Sequence, residues 1–319
     1  MKRRRTAKIV LGVTSGVLLT RVLLSFCAVG LFFHFFYARY DTLCPTDLRT
    51  SDLTAPTVPV TFDANGAALS GLRIGDGQKG VIVMMHGMRS GMDAHFAEAD
   101  YFAAHGYTVF TFDGTGTRTS SGDSRCSVSF ARDDLDAALD YLETTDLGSL
   151  PVFLYGHSSG GYAAATVLER ADAAALLCAF DDPIDTMCDT ASQYTGILVE
   201  LQRPYLMLWN RIKAGSDANE CASVCINRTD TPVLIVGASD DTVIPADDAL
   251  YLHPDRITDP NVAYLLREGG HSEVWLSADA LIYRAEMPPD IPETLDRLRY
   301  NAVDPEFLDA VLTFFESAK

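Results

Sequence analysis

Residues 153–168 read FLYGHSSGGYAAATVL, an apolar run, a glycine-flanked serine pair and an alanine-rich run. The pattern G-x-S-x-G fits only when centred on Ser158, because centring it on Ser159 puts His157 where the first glycine belongs. A strand turning sharply into a helix would leave Ser158 on a strained, exposed tip, with Gly156 and Gly160 relieving the crowding. The chemistry such a serine supports is nucleophilic attack on a carbonyl, once an imidazole takes its proton. Negative charge then develops on the carbonyl oxygen and needs two backbone donors. The N–H of Ser159, directly after the serine, is one candidate. The N–H of Met88, in the loop HGMRSGMD after an earlier apolar run, is the other. Arg89 beside it reads equally well as a carboxylate-binding pocket residue or as a surface residue.

Two histidines follow Ser158. His253 precedes the strand-like run NVAYLL, whereas His271 follows it in REGGHSEVW, where a base at the end of a strand belongs. His271 is therefore the expected general base. Upstream, His157 and His86 belong to the turns themselves, and His34, His95 and His105 have no motif around them. The carboxylate that orients the base should follow an earlier strand, and VLIVGASDDTVIP offers Asp240 and Asp241. Counting three residues on from Gly237 selects Asp240. The order acid, polar, apolar, apolar, proline selects Asp241, which is preferred because Val243 and Ile244 would anchor the loop. Asp181 and Asp182 are a further source of the acid.

These residues need a scaffold that brings turns together. Short apolar runs at 80–87, 107–114, 151–156, 173–180, 231–237 and 261–270 alternate with helical patterns at about 93–105, 130–144, 158–170 and 305–317. Continuous apolar runs separated by amphipathic helices are what a parallel sheet covered on both faces requires, so the fold class is α/β, mostly parallel and doubly wound. In the 130–144 helix, Leu135, Ala138, Leu139 and Leu142 share one face, and the carboxylates Asp133, Asp134, Asp136, Asp140 and Glu143 read as a solvated opposite face. Residues 181–230 interrupt the alternation after the sixth strand. Rich in Tyr, Leu, Met and Trp, they read as a short helical lid over the carboxyl ends of the strands that chooses the substrate.

The 319 residues carry 25 Lys and Arg against 43 Asp and Glu, a net charge of −18, and five of the basic residues lie within the first eight positions. An acidic surface repels phosphate backbones, so nucleic acid is excluded as a partner. The basic cluster Lys2, Arg3, Arg4, Arg5 and Lys8 precedes an apolar tract at 9–37, broken by Arg21 and His34. Such a tract is long enough to cross a hydrocarbon core of about 30 Å. Without a small-x-small cleavage site, it reads as an uncleaved anchor spanning residues 1–40 with its basic tail. The charge asymmetry places the N-terminus in the cytoplasm and the rest outside. Arg21 is expected to snorkel at the cytoplasmic boundary. Residues 41–57 read as a linker and 58–319 as the catalytic domain. Six cysteines lie beyond the tract, compatible with disulfides in an exported domain; Cys178 reads as a buried thiol and the Cys221/Cys225 pair as a local disulfide or plain packing rather than zinc.

Taken together, VIVMMHGM, GHSSGG, GASDDTVIP and GGHS, in this order, resemble the α/β-hydrolase superfamily and its esterase, lipase and serine-aminopeptidase-like branch, over roughly residues 58–319. The resemblance implies attack on an ester, thioester or amide carbonyl of a small-molecule or acyl substrate. It also implies an acyl-serine intermediate hydrolysed by water, with no cofactor and no metal. A carboxylesterase is the leading expectation. A peptidase is the alternative, with Asp185, Asp189 or Glu200 to hold a substrate amine, and a non-catalytic binding protein on the same scaffold is a third. Two departures bear on the pocket: FDGTGTRTSSGDS at 112–124 replaces the stretch many relatives carry there, and the segment between His271 and the last helix is long.

Overall fold

The structure is a computed structural model that describes residues 2–288, 290–291 and 294–318, without the side chains of residues 2–7 and Tyr194. The side chains of Lys2, Arg3, Arg4 and Arg5, used above to orient the tract, therefore lie outside the described residues. In chain order the elements are α1 (Lys2–Phe36), β1 (Thr57–Ala64), β2 (Ala67–Ile74), β3 (Val81–Met85), α2 (Phe96–Ala104), β4 (Thr108–Phe112), α3 (Ala131–Glu143), β5 (Val152–His157) and α4 (Ser159–Ala165). There follow β6 (Ala173–Leu177), α5 (Pro183–Thr195), α6 (Arg203–Ala214), α7 (Ala222–Ile226), β7 (Val233–Ala238), β8 (Val262–Arg267), α8 (Ala278–Ala285), α9 (Arg297–Tyr300) and α10 (Pro305–Ser317).

The strands form one eight-stranded sheet in the order β1-β2-β4-β3-β5-β6-β7-β8. From β4 to β8 all neighbours are parallel, while β1 pairs antiparallel with β2 and β2 with β4. Strands β3, β4 and β6 are buried at every position, as a sheet covered on both faces demands. The β1–β2 hairpin went unread in the sequence, which suggested only a short extended segment. Its signal is Asn65-Gly66: both residues take positive φ (53° and 86°), the backbone a two-residue hairpin turn needs.

One face of the sheet is covered by α3, α4 and the end of α1, the other by α2 and α10. Helix α10 buries Phe307, Leu308, Val311, Leu312 and Phe315 at three- and four-residue spacing, and Phe315 stacks on Phe153 of β5 with ring centroids 4.8 Å apart. Each such side chain contributes about 1.5–3 kcal/mol of burial. Helix α3 buries the expected Leu135, Ala138, Leu139 and Leu142, but it also buries Asp134, which the sequence assigned to the solvated face. Asp134 accepts hydrogen bonds from the Thr115 N–H (2.7 Å) and Oγ1 (2.6 Å), and burial pushes its carboxyl up to about 7.

Helix α1 contains a stretch, Lys8–Phe36, that is long and apolar enough to cross a membrane. Its last turns belong to the core, with Val29, Phe33 and Tyr37 buried. They dock on α6. The Trp209 indole donates to the Phe26 carbonyl (2.9 Å) and stacks on Phe26 at 4.8 Å. Gly30 permits this approach, because a Cβ there would lie 2.7 Å from Trp209 Cζ2. The insertion at 181–230 follows β6 as expected, yet it packs beside α1 rather than over Ser158. Arg21, expected at a membrane boundary, lines a groove with Leu198, Leu201 and Gln202 of that insertion.

The end of the expected anchor and the start of the expected linker are held to the domain by hydrogen bonds with Arg125, with the loop 112–124 and with Asn301. Arg125 donates to the Phe36 (2.6 Å) and Ala38 (3.0 Å) carbonyls, and Arg39 Nη1 donates to those of Ser120 and Gly122, both at 2.8 Å. Tyr40 N–H donates to Gly116 O (2.9 Å) and Asn301 Nδ2 to Thr46 O (2.7 Å). Residues 37–49 thus lie across the carboxyl ends of the strands, the edge where sites in such sheets form.

Candidate active site

Between β5 and α4 the chain turns within one residue. Ser158 takes φ 57° and ψ −119°, a conformation that costs a non-glycine residue about 1–3 kcal/mol. The turn is held by the Ser158 N–H donating to Leu177 O at the tip of β6 (2.8 Å). Glycine is required on both sides. A Cβ on Gly160 would lie 2.1 Å from Met85 O, and one on Gly156 would lie 2.3 Å from Gly160 O.

The loops after β7 and β8 meet next to this turn. His271 Nδ1 donates to Asp241 Oδ2 at 2.8 Å, and both side chains are nearly buried. Asp241 Oδ1 accepts the N–H groups of Val243 (2.8 Å) and Ile244 (3.1 Å), so the carboxylate is aimed by its own loop. Burial raises the Asp241 carboxyl, but the bond from His271 and the two backbone donors outweigh it and hold the group below its usual value. With Nδ1 committed, the lone pair of the neutral His271 ring is on Nε2. Asp240 does not reach the histidine: it is exposed, its carboxylate accepts from Ser239 Oγ (3.0 Å), and its N–H donates to Gly269 O (3.0 Å), which ties the two loops together. Asp181 accepts from Ser223 and Arg256 and Asp182 caps α5 at Ile184 N–H, so neither contacts His271.

Two further histidines, read in the sequence only as turn residues, hold this arrangement. His157 Nε2 donates to the carbonyl of His271 at 2.9 Å, and its ring lies between His271, His95 and Trp275. Burial keeps it neutral, well below an ordinary imidazole. His86 accepts the Gly114 N–H at Nε2 (3.1 Å) and donates from Nδ1 to Gly87 O (2.7 Å), with burial lowering it to about 4. That bond fixes the peptide before Met88. Among the described residues, neither the Met88 nor the Ser159 N–H donates to a protein acceptor. Arg89, at φ 59°, places its guanidinium 4.7 Å from the centre of the Phe36 ring at the end of α1.

Ser158 and His271 line a cavity of about 370 Å³. Both ends of the chain contribute to its wall, Tyr40, Thr46 and Asp47 from one and Trp275, Arg284, Tyr300 and Asn301 from the other, together with Met88, Arg89 and Arg118 between them. Among the described residues, none of the insertion at 181–230 lines it, against the expectation that this insertion shapes the pocket. Asp185, Asp189 and Glu200 line a different cavity of about 360 Å³, where Asp185 and Glu200 pair with Arg203 (2.5 and 2.9 Å). One hint of the true wall was legible beforehand, the long segment after His271. Nothing in the sequence pointed to Tyr40, Thr46 or Asp47.

His157, Cys178 and His271 bring three ligand-capable atoms within 4.8 Å of one another. Burial keeps the Cys178 thiol protonated, which opposes its use as a metal ligand. The seven cysteines are all free, Cys221 and Cys225 included.

Residues 76–193 match the family described as serine aminopeptidase, S33. A lysophosphatidylserine lipase, ABHD12 of Danio rerio, is 30% identical over 185 residues, covering 52% of this chain and 44% of the relative. The chain thus spans less than half the length of that curated relative. The esterase Pf2001 of Pyrococcus furiosus aligns with a TM-score of 0.61 at 15% identity, over 88% of this chain and 98% of the esterase. Est1E from Butyrivibrio proteoclasticus with bound ferulic acid gives a TM-score of 0.51 at 17% identity, over 67% of this chain and 91% of that one. In its sheet order, its strand-to-helix turn and its likeness to these structures, the chain has the α/β-hydrolase fold.

Proposed function

We propose that the protein is a serine hydrolase that cleaves carboxylic esters, with Ser158 as nucleophile, His271 as general base and acid, and Asp241 as its orienter. The observation that carries this reading is His271, its Nδ1 bonded to Asp241, lining the same cavity as a serine held at φ 57°. His271 Nε2 takes the Ser158 Oγ proton as the oxygen attacks the ester carbonyl. The tetrahedral oxyanion is met by the N–H groups of Met88 and Ser159; losing one such donor typically costs about 3–4 kcal/mol of transition-state stabilisation. The imidazolium then gives its proton to the leaving alkoxide. Water, deprotonated by the same Nε2, attacks the acyl-serine and releases the acid and Ser158.

Similarity to a lysophosphatidylserine lipase and an apolar N-terminal helix support a lipid-like acyl ester drawn from a membrane. The charge asymmetry of the N-terminal tract supports an anchor with its N-terminus in the cytoplasm and the catalytic unit outside. That unit includes residues 37–57, because this segment supplies one wall of the cavity. A second reading, amide hydrolysis, is favoured by the match to the serine aminopeptidase family. The test is fluorophosphonate labelling of the full chain in detergent, followed by turnover of p-nitrophenyl esters of graded length and aminoacyl-anilides. Ser158→Ala should abolish labelling and lower ester turnover by about 10⁴-fold or more. Hydrolysis of anilides alone would reverse the preference for esters.

A further inference from the structure

In a chain of net charge −18, the wall of the Ser158 cavity carries Arg89, Arg118 and Arg284 against one carboxylate, Asp47. Two of these cations are already engaged: Arg118 is paired with Asp93 and Asp47, and Arg89 lies exposed over Phe36. Arg284 differs from both. It stacks over Tyr300, 4.2 Å from the ring centre, donates from Nε to Tyr300 O (2.9 Å) and from Nη2 to Asn301 Oδ1 (3.2 Å), and has no ion pair among the described residues. Its Nη1 makes no hydrogen bond among those residues and is not sealed in the interior. Burial opposes its charge, and Glu273, Glu98 and Asp47 support it only from a distance. A partly buried guanidinium on a cavity-lining residue, oriented by two neutral acceptors and a ring and with one terminal nitrogen left unbonded, is arranged to receive an anion.

We infer that the corner formed by Arg284, Tyr300 and Asn301 binds an anionic group, carboxylate or phosphate, carried by the ester that Ser158 attacks. The inference rests on the proposed hydrolase reading and narrows it to esters bearing a negative charge away from the scissile carbonyl. A lone arginine on an open surface would bind such a group weakly. Here the cavity wall removes competing water, and the flat guanidinium offers Nη1 at an angle already set by its other bonds.

The test uses the full chain in neutral detergent and two matched pairs of esters. Mono-p-nitrophenyl adipate against p-nitrophenyl hexanoate places a carboxylate on the acyl side. Lauroylglycerol 3-phosphate against lauroylglycerol places a phosphate on the leaving side. The expected result is a kcat/KM ratio, charged over neutral, above ten in at least one pair, falling at least tenfold in Arg284→Gln and partly retained in Arg284→Lys. The pair that shows it identifies the source of the charge. Ratios of one or less in both pairs of the unaltered protein, or ratios that Arg284→Gln leaves in place, overturn the inference; the first holds even where the variant does not fold. If neutral esters turn over and fluorophosphonate labels Ser158 while the ratios stay flat, only the anion corner falls. If Ser158 is not labelled and no ester is cleaved, the hydrolase reading falls with it.

Discussion

Two cavities of nearly equal size, about 370 and 360 Å³, sit on this molecule with opposite character. The first gathers Ser158 and His271 with three arginines; the second gathers Asp185, Asp189, Glu200, Asp247 and Asp248 around Arg203. Volume does not separate them. What does is that the first lies over the tips of parallel strands, where β5, β7 and β8 each deliver one side chain of a converging set at the end of a rigid element. The second lies between the insertion and the loop after β7, and three of its carboxylates are engaged, Asp185 and Glu200 by Arg203 and Asp248 by its own neighbours. Asp248, for example, accepts from Asp182 N–H (2.7 Å) and Thr186 Oγ1 (2.6 Å).

The strongest test of that division is at the acid. Asp241→Asn should lower kcat on esters by about 10³–10⁴-fold, because an amide in its place favours the wrong imidazole tautomer, while Asp240→Asn should change it by less than about threefold. Equal losses at the two positions would show that the loop rearranges during turnover. Next in size is His157. Replacing it by Phe removes the donor to the His271 carbonyl, and kcat should fall by about 10–100-fold, the scale of an ångström-level displacement of a catalytic group. His157→Gln, which keeps an N–H donor, should recover part of the loss; an unchanged rate in His157→Phe would mean that Trp275 and the β8 loop position the base unaided.

Smaller effects belong to the acidic cavity. Asp185→Asn combined with Glu200→Gln should leave turnover of both p-nitrophenyl esters and aminoacyl-anilides within about twofold, since these carboxylates pair with Arg203 at the solvent-screened rim of a cavity that does not hold Ser158. A tenfold loss confined to anilides would restore these carboxylates as amine-binding groups and join the two cavities into one site. The smallest signal is one of stability. Burial, with Asp185 and Asp182 nearby, raises Asp248 to about 7. A carboxyl raised in the folded state adds stability that is fully present below its ordinary value of about 3.9 and is lost as pH rises to about 7. In Asp248→Asn the fall in melting temperature between pH 4 and pH 8 should be shallower than in the unaltered chain. At about 2–4 °C per kcal/mol, the difference is a few degrees. Superimposable profiles would show that the acidic cavity is as well hydrated as the surface.

The parts legible in the sequence were those that depend on neighbours along the chain. The continuous apolar strands, the periodic face of α3, the run from Pro305 to Ser317 and the glycine spacing around Ser158 each obey a local rule of backbone geometry or amphipathic spacing. Strand order in the sequence also left one histidine in the right place. Local pattern failed where two readings were locally equivalent. Asp240 and Asp241 differ by one residue, and only the meeting of the β7 and β8 loops turned one toward His271 and the other toward Ser239. Asp134 likewise matched a solvated face by periodicity, but the loop after β4 covers it with Thr115.

What the sequence determined by itself was an α/β chain with an apolar leader, a serine on a tight turn and a short roster of partners. Tertiary structure alone decided what surrounds that serine. Tyr40, Thr46 and Asp47 line one cavity with Arg284, Tyr300 and Asn301 although more than two hundred residues separate them. The insertion that looked like a lid went instead to the apolar helix α1, where Trp209 closes over Gly30. The physical reason is the same in both cases: burial of apolar surface and pairing of backbone carbonyls reward any segment that fits, however distant in the chain, and spacing along a sequence carries no record of that distance.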